Sequence, residues 1–154
     1  MDTRCQCGAV AFKTPSPSPL ALYICHCRGC KLQTGSAFGT SAIFPRFALP
    51  ENENLSCYSR PTAKGPLLYC YFCRQCGTRL LHSTPAQDFV SVKGGCIQGL
   101  DWSQAIHICT NSAMVPIPEG AETASDASTP TEFVKLQNAI DQPPSPSADA
   151  DTNA

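Results

Sequence analysis

Apolar residues in this chain gather in short runs that end at Gly, Pro or Cys, with little of the three-to-four-residue spacing of an amphipathic helix. Runs of that kind predict strands separated by turns. Cys5–Phe12 begins as a turn and becomes a strand, and Leu20–Ile24 is an apolar strand that delivers the chain to Cys25. Further strands are predicted over Ala37–Phe44, Leu55–Tyr58, Leu67–Phe72, Thr78–His82 and Phe89–Lys93, with Ala105–Cys109 as a final edge strand. The alternating Pro and Ser of Thr14–Pro19 break the pattern, as do Pro45–Asn54 and the turn from Arg60-Pro61 to Gly65-Pro66. One helical turn is expected at Lys31–Ser36, ending at Gly35. The pattern predicts an all-β domain.

The pattern fades near Pro118, and composition explains why. Residues 1–118 carry ten basic and five acidic side chains, a net +5, whereas residues 119–154 carry one basic and seven acidic, a net −6. The overall charge of −1 thus conceals a mildly basic domain over 1–118 and an acidic Pro/Ser/Ala-rich tail over 119–154. Within the tail, 131–140 predicts a short helix with Phe133, Leu136 and Ile140 on one face, and Asp141–Ala154 has the composition of a flexible segment. Neither a basic run with interleaved aromatics nor a membrane-length apolar run occurs, which argues against nucleic-acid and membrane partners.

Eleven cysteines in 154 residues change the picture most. Their number is odd, several sit in tight pairs, and Met1-Asp2-Thr3-Arg4 leads into the first pair without an apolar signal region. These features favour bound metal in a reducing, cytoplasmic compartment over a disulfide framework. Cys5-Gln6-Cys7-Gly8 and Cys73-Arg74-Gln75-Cys76-Gly77 are two Cys pairs that each end in Gly, and together they predict a closed four-thiol structural zinc site. In an extended Cys-x-Cys both side chains lie on one face and can chelate a single ion. Cys25-His26-Cys27-Arg28-Gly29-Cys30 adds three thiols, again for zinc. Three thiolates on Zn²⁺ give a net charge near −1 and leave one coordination position for a substrate sulfur.

A spare side chain could instead complete that second set. Cys57, Cys70, Cys96, Cys109, His26, His82 and His107 are all available, although a lone Cys is more often an inert core thiol. His26 faces away from its Cys neighbours if the segment is extended. A zinc deaminase is excluded, because Cys27 stands where that signature needs Glu and Phe72 where it needs Pro. Carboxylates are too scarce before residue 119 to offer an obvious general base.

The ordered set Cys-x-Cys-Gly, Cys-His-Cys-x-x-Cys with a following Thr-Gly-Ser, and Phe-Cys-x-x-Cys-Gly-Thr resembles the glutathione-dependent formaldehyde-activating enzyme family, whose zinc domain is shared with centromere protein V. The likeness runs from about Arg4 to Pro118 and takes in Val92-Lys93-Gly94-Gly95 and Leu100-Asp101. It implies a mainly β, zinc-clamped β-tent of paired antiparallel sheets with two zinc ions. Cys5, Cys7, Cys73 and Cys76 would hold the structural zinc, and Cys25, Cys27 and Cys30 the catalytic one. It also implies a carbon–sulfur lyase that joins glutathione, as co-substrate, to formaldehyde or handles another glutathione adduct in detoxification or natural-product biosynthesis. Arg28 and Lys31, beside the second set, are candidate contacts for glutathione's carboxylates. Two positions depart from the family pattern: Cys70 stands where Arg is common, and Thr110–Met114 replaces a Lys-Ser-Arg followed by an aromatic. The competing readings are a non-enzymatic zinc module that binds a protein or nucleic acid, and a thiol sensor that uses the spare cysteines.

Overall fold

The computed structural model describes residues 1–62 and 65–126. Among these, β1 (Asp2–Arg4) and β2 (Ala11–Lys13) form a small antiparallel ribbon. The other strands are β3 (Ala21–Cys25), β4 (Gly39–Pro45), β5 (Leu55–Pro61), β6 (Leu67–Cys73), β7 (Arg79–Ser83), β8 (Phe89–Lys93), β9 (Ile106–Ile108) and β10 (Thr123–Ala124). They make one sheet in the order β10-β9-β3-β4-β8-β7-β6-β5. The single α-helix among the described residues, α1 (Arg28–Thr34), lies between β3 and β4. The mainly β expectation holds. The large sheet is mixed, however, because β9 runs parallel to β3 and β10 parallel to β9.

Two local expectations are corrected. Ile106–Ile108 is an interior strand, since β10 covers it and the His107 N–H donates to Glu122 O at 2.8 Å. The chain therefore enters the sheet again beyond residue 118. Strand β1 escapes a hydrophobicity search because it is short and polar; its Thr3 is buried opposite Phe12. Cys5–Cys7 is a turn, as expected for the opening of Cys5–Phe12, closed by the Gly8 N–H donating to Cys5 O at 3.1 Å. The helix expected at 131–140 and the segment Asp141–Ala154 lie outside the described residues.

Period-two alternation sends Ala42, Phe44, Leu81, Val90 and Val92 into one core. Full burial of each large apolar side chain contributes about 1.5–3 kcal/mol. The opposite face of the same strands is polar yet still enclosed. It presents Ser41, Ser91 and Lys93, each less than a tenth exposed, together with Cys70 and half-buried His82. Registers Lys93↔Ser41, His82↔Ser91 and Cys70↔His82 bring these residues side by side. Enclosed polar residues in that number need partners or a function.

Candidate metal centres and substrate cleft

The first thiol group is built from two facing turns. Gly8 (φ 79°) and Gly77 (φ 74°) both adopt the left-handed conformation that closes such a turn without a Cβ clash. The Gly77 N–H donates to Cys73 O at 2.8 Å, and the Val10 N–H donates to Cys5 Sγ at 3.3 Å. The sulfurs of Cys5, Cys7, Cys73 and Cys76 all lie within 4.8 Å of one another. Zn–S bonds near 2.3 Å put tetrahedral sulfurs roughly 3.8 Å apart; Cys5–Cys7 and Cys7–Cys73 are separated by 3.5 and 3.8 Å. The donor set therefore fits zinc. Cys5 and Cys73 are buried in an apolar cluster with Val10, Leu80 and Cys96. Hydrogen bonding from Thr78 pulls the Cys76 thiol down to about 5.

The second group forms where β3 hands over to α1. Cys25 ends the strand, the His26 N–H donates to Ile108 O at 3.0 Å, and Cys27 caps the helix. The Cys30 N–H donates to Cys27 Sγ at 3.3 Å, so a thiol fills the capping role usually held by a hydroxyl or carboxylate. The helix thus starts at Arg28, before the turn expected from Lys31, and stops at left-handed Gly35. A Cβ on Gly39 would sit 3.1 Å from Cys30 Cβ, so glycine lets β4 approach the helix closely. The sulfurs of Cys25, Cys27 and Cys30 lie within 4.8 Å of one another and offer three donors for a metal. Protons are shared unequally: Cys25 and Cys30 hold the Cys27 thiol down at about 2, whereas Cys27 pushes Cys25 up to about 12.

Facing this group are Arg60 and Lys93, which sequence spacing did not single out, and His82, which it offered as a side chain that could complete the set. Arg60 packs against the open side of Gly29, where a Cβ would meet its Nη2 at 3.2 Å and Cys27 Sγ at 3.9 Å. Lys93 Nζ lies 3.4 Å from Ser41 Oγ; burial pulls its ammonium below the usual lysine range, against the attraction of Cys30 and Cys25. Burial, helped by Lys93, Arg79 and Arg60, holds His82 well below the ordinary imidazole value. A buried Lys at the end of an apolar strand was the one available signal, and it is visible only once the strand's faces are assigned.

A cleft of about 680 Å³ opens beside this wall. Arg4, Arg79 and Lys93 line it together with Gln33, Thr34 and Thr78, and no carboxylate among the described residues does. It reaches from Cys5 and Cys76 of the first group to the end of α1. Arg28 and Lys31 are not among its lining residues. Lys31 Nζ instead donates to Ser112 O at 2.8 Å, and Arg28 is exposed. His26 and His107 also stand apart, Nε2 to Nδ1 at 3.0 Å with their rings stacked, on the wall of a separate 590 Å³ cavity with Phe38 and Trp102. No helix among the described residues is long and apolar enough to cross a membrane.

Comparison with known proteins agrees with this arrangement. A crystal structure of a Rhodobacter sphaeroides protein from a structural genomics programme shares the fold, with a TM-score of 0.53 and 21% identity. The match covers 70% of this chain and 99% of that one. No curated protein sequence matches the chain. The family model described as glutathione-dependent formaldehyde-activating enzyme matches residues 1–112, a span that holds both thiol groups and the cationic wall. The chain belongs to the glutathione-dependent formaldehyde-activating enzyme family.

Proposed function

We propose that the protein is a zinc-dependent carbon–sulfur lyase acting on glutathione or a glutathione conjugate. Cys25, Cys27 and Cys30 are its reactive centre, the cationic cleft is its substrate site, and the four-thiol group is a structural zinc site. The observation that carries this reading is an incomplete set of three thiols linked through Lys93 to a cleft that three cations, and no carboxylate among the described residues, line. Zinc bound to those three thiols would lower the pKa of an incoming thiol and keep its sulfur nucleophilic. Lys93, close to Cys30 and Cys25, offsets the negative charge that gathers there. Arg4 and Arg79, which both line the cleft, would pair with the two carboxylates of glutathione.

In the joining direction the sulfur forms a bond to a carbonyl carbon, the carbonyl π pair moves to oxygen, and the thiol's proton ends on the new hydroxyl. Cleavage reverses each transfer. With no carboxylate in the cleft, solvent rather than a dedicated Asp or Glu carries that proton.

Cys27→Ala is expected to abolish turnover and to lower zinc from two per chain to one, with the fold intact. Full activity in that variant would remove the catalytic assignment.

A further inference from the structure

His26 and His107 could have completed the three-thiol set, yet the group of side chains able to share a metal includes neither. Strand geometry explains why. Ile24 and Cys25 are neighbours on β3 and so face opposite sides of the sheet, and His107 is in register with Ile24. Cys25 joins the thiols, whereas Ile24, His26 and His107 line the cavity of about 590 Å³ on the other side. That volume lies in the range of small-molecule sites. The two buried imidazoles form its inner wall, and His26 Nδ1 has no hydrogen-bond partner among the described residues, which sets this wall apart from ordinary core. Half-buried Phe38 and Trp102 add two aromatic surfaces.

Charge distinguishes this cavity from the cleft. Glu119 and Glu122 line it, and no lysine or arginine among the described residues does. Lys31, whose charge reaches His26, is bound to Ser112 O and is not in the lining. Both glutamates are exposed and so stand on the solvent side. Backbone bonds fix their places. Glu119 lies in a turn closed by the Ala121 N–H donating to Pro118 O at 3.2 Å, and Glu122 O accepts the His107 N–H. Trp102 is held as well: a Cβ on Gly94 would overlap its ring, so only glycine admits the indole there. An ammonium group bound in the cavity is attracted by the carboxylates and by the aromatic faces, whereas a carboxylate is repelled by the glutamates.

We propose that this cavity is a second ligand site, separate from the substrate cleft, that takes a protonated amine carried on an apolar body. The ammonium pairs with Glu119 and Glu122, and the body packs on Phe38 and Trp102. The site does not depend on the lyase reading. It does share β3 with the three-thiol group, and its Trp102 packs on Gly94, next to Lys93 of the cleft.

Trp102 is the only tryptophan in the chain, so intrinsic fluorescence reports on this cavity. The test titrates the full chain with phenethylamine, 2-phenylethanol and phenylacetate, which share one body and are cationic, neutral and anionic at neutral pH. The amine should change the emission saturably and bind at least about tenfold more tightly than the alcohol, with no saturable change from the acid. In a chain carrying both Glu119→Gln and Glu122→Gln, the alcohol should bind as before and the preference for the amine should fall below about twofold. Glutamine keeps the side-chain size and the backbone bonds, so the charge goes while the wall stays. An amine that binds no more tightly than the alcohol, or a preference that survives the double substitution, would overturn the proposal. So would the lack of any saturable change with the amine.

Discussion

The two thiol groups are made of the same chemistry and set in opposite surroundings. The quartet Cys5, Cys7, Cys73 and Cys76 closes on itself and packs on Val10 and Leu80. The trio Cys25, Cys27 and Cys30 leaves its set incomplete and faces Lys93, Arg60 and His82. Apolar walls around a complete donor set favour permanence. A buried lysine and a half-buried arginine around an incomplete set favour the gain and loss of a charged ligand, because a low-dielectric environment strengthens every charge interaction within it. The difference between the two groups lies less in the cysteines than in what the neighbouring strands point at them.

The strongest way to break this comparison is to damage the quartet. Cys73→Ala removes a metal ligand and a core side chain together, and should destabilise the fold by more than about 4 kcal/mol. Loss of cooperative thermal unfolding would be the sign, and a stable fold with one zinc would make the two groups equivalent. Next is Lys93→Met, which should reduce kcat/KM for the glutathione reaction about 100-fold with two zinc ions retained. Zinc loss without a rate defect would mark the lysine as packing only.

A smaller effect concerns pH. Folding holds His82 well below its ordinary value of 6.5, so the unfolded chain takes up a proton first as pH falls. Its contribution to stability is complete above that value and is lost below it, by at most about 1.4 kcal/mol per pH unit. Urea midpoints at pH 7.5 and 5.5 should show a steeper fall for wild type than for His82→Gln; equal slopes would sink the assignment. The smallest effect expected on the rate is that of Lys31→Met. Its ammonium is spent on Ser112 O, so the KM for glutathione should move less than about threefold.

Much of this was legible beforehand. The apolar runs ending at Cys25 and Cys73 mark strands that deliver thiols to the two groups, and Gly8 and Gly77 mark the turns. What the sequence could not disclose depended on pairing between distant segments. Lys93 looks like an ordinary strand-ending charge until β8 pairs with β4 and turns it inward. Cys70, where the family pattern has Arg, reads as a lost positive charge. Across the sheet, Lys93 now interacts with Cys70 and supplies a cation in that region. Arg28 and Lys31, three residues apart, share a helix face one residue round from that of Cys27, Cys30 and Thr34, and of these positions only Thr34 lines the cleft. Strand β10 was hidden by the acidic composition around it, since its contribution is backbone pairing to β9.

The quartet joins sulfurs 66 residues apart, Cys7 to Cys73. With metal bound it is a cross-link, and a loop of that size restrains the unfolded chain by about 4 kcal/mol in the chain-entropy account of disulfides. Yet no sulfur–sulfur bond is involved, and all eleven thiols are free. Reductants that sever a disulfide would leave such a metal link untouched, whereas a chelator or an oxidant would undo it, so with metal in the quartet the protein's mechanical integrity would follow the supply of metal in its surroundings.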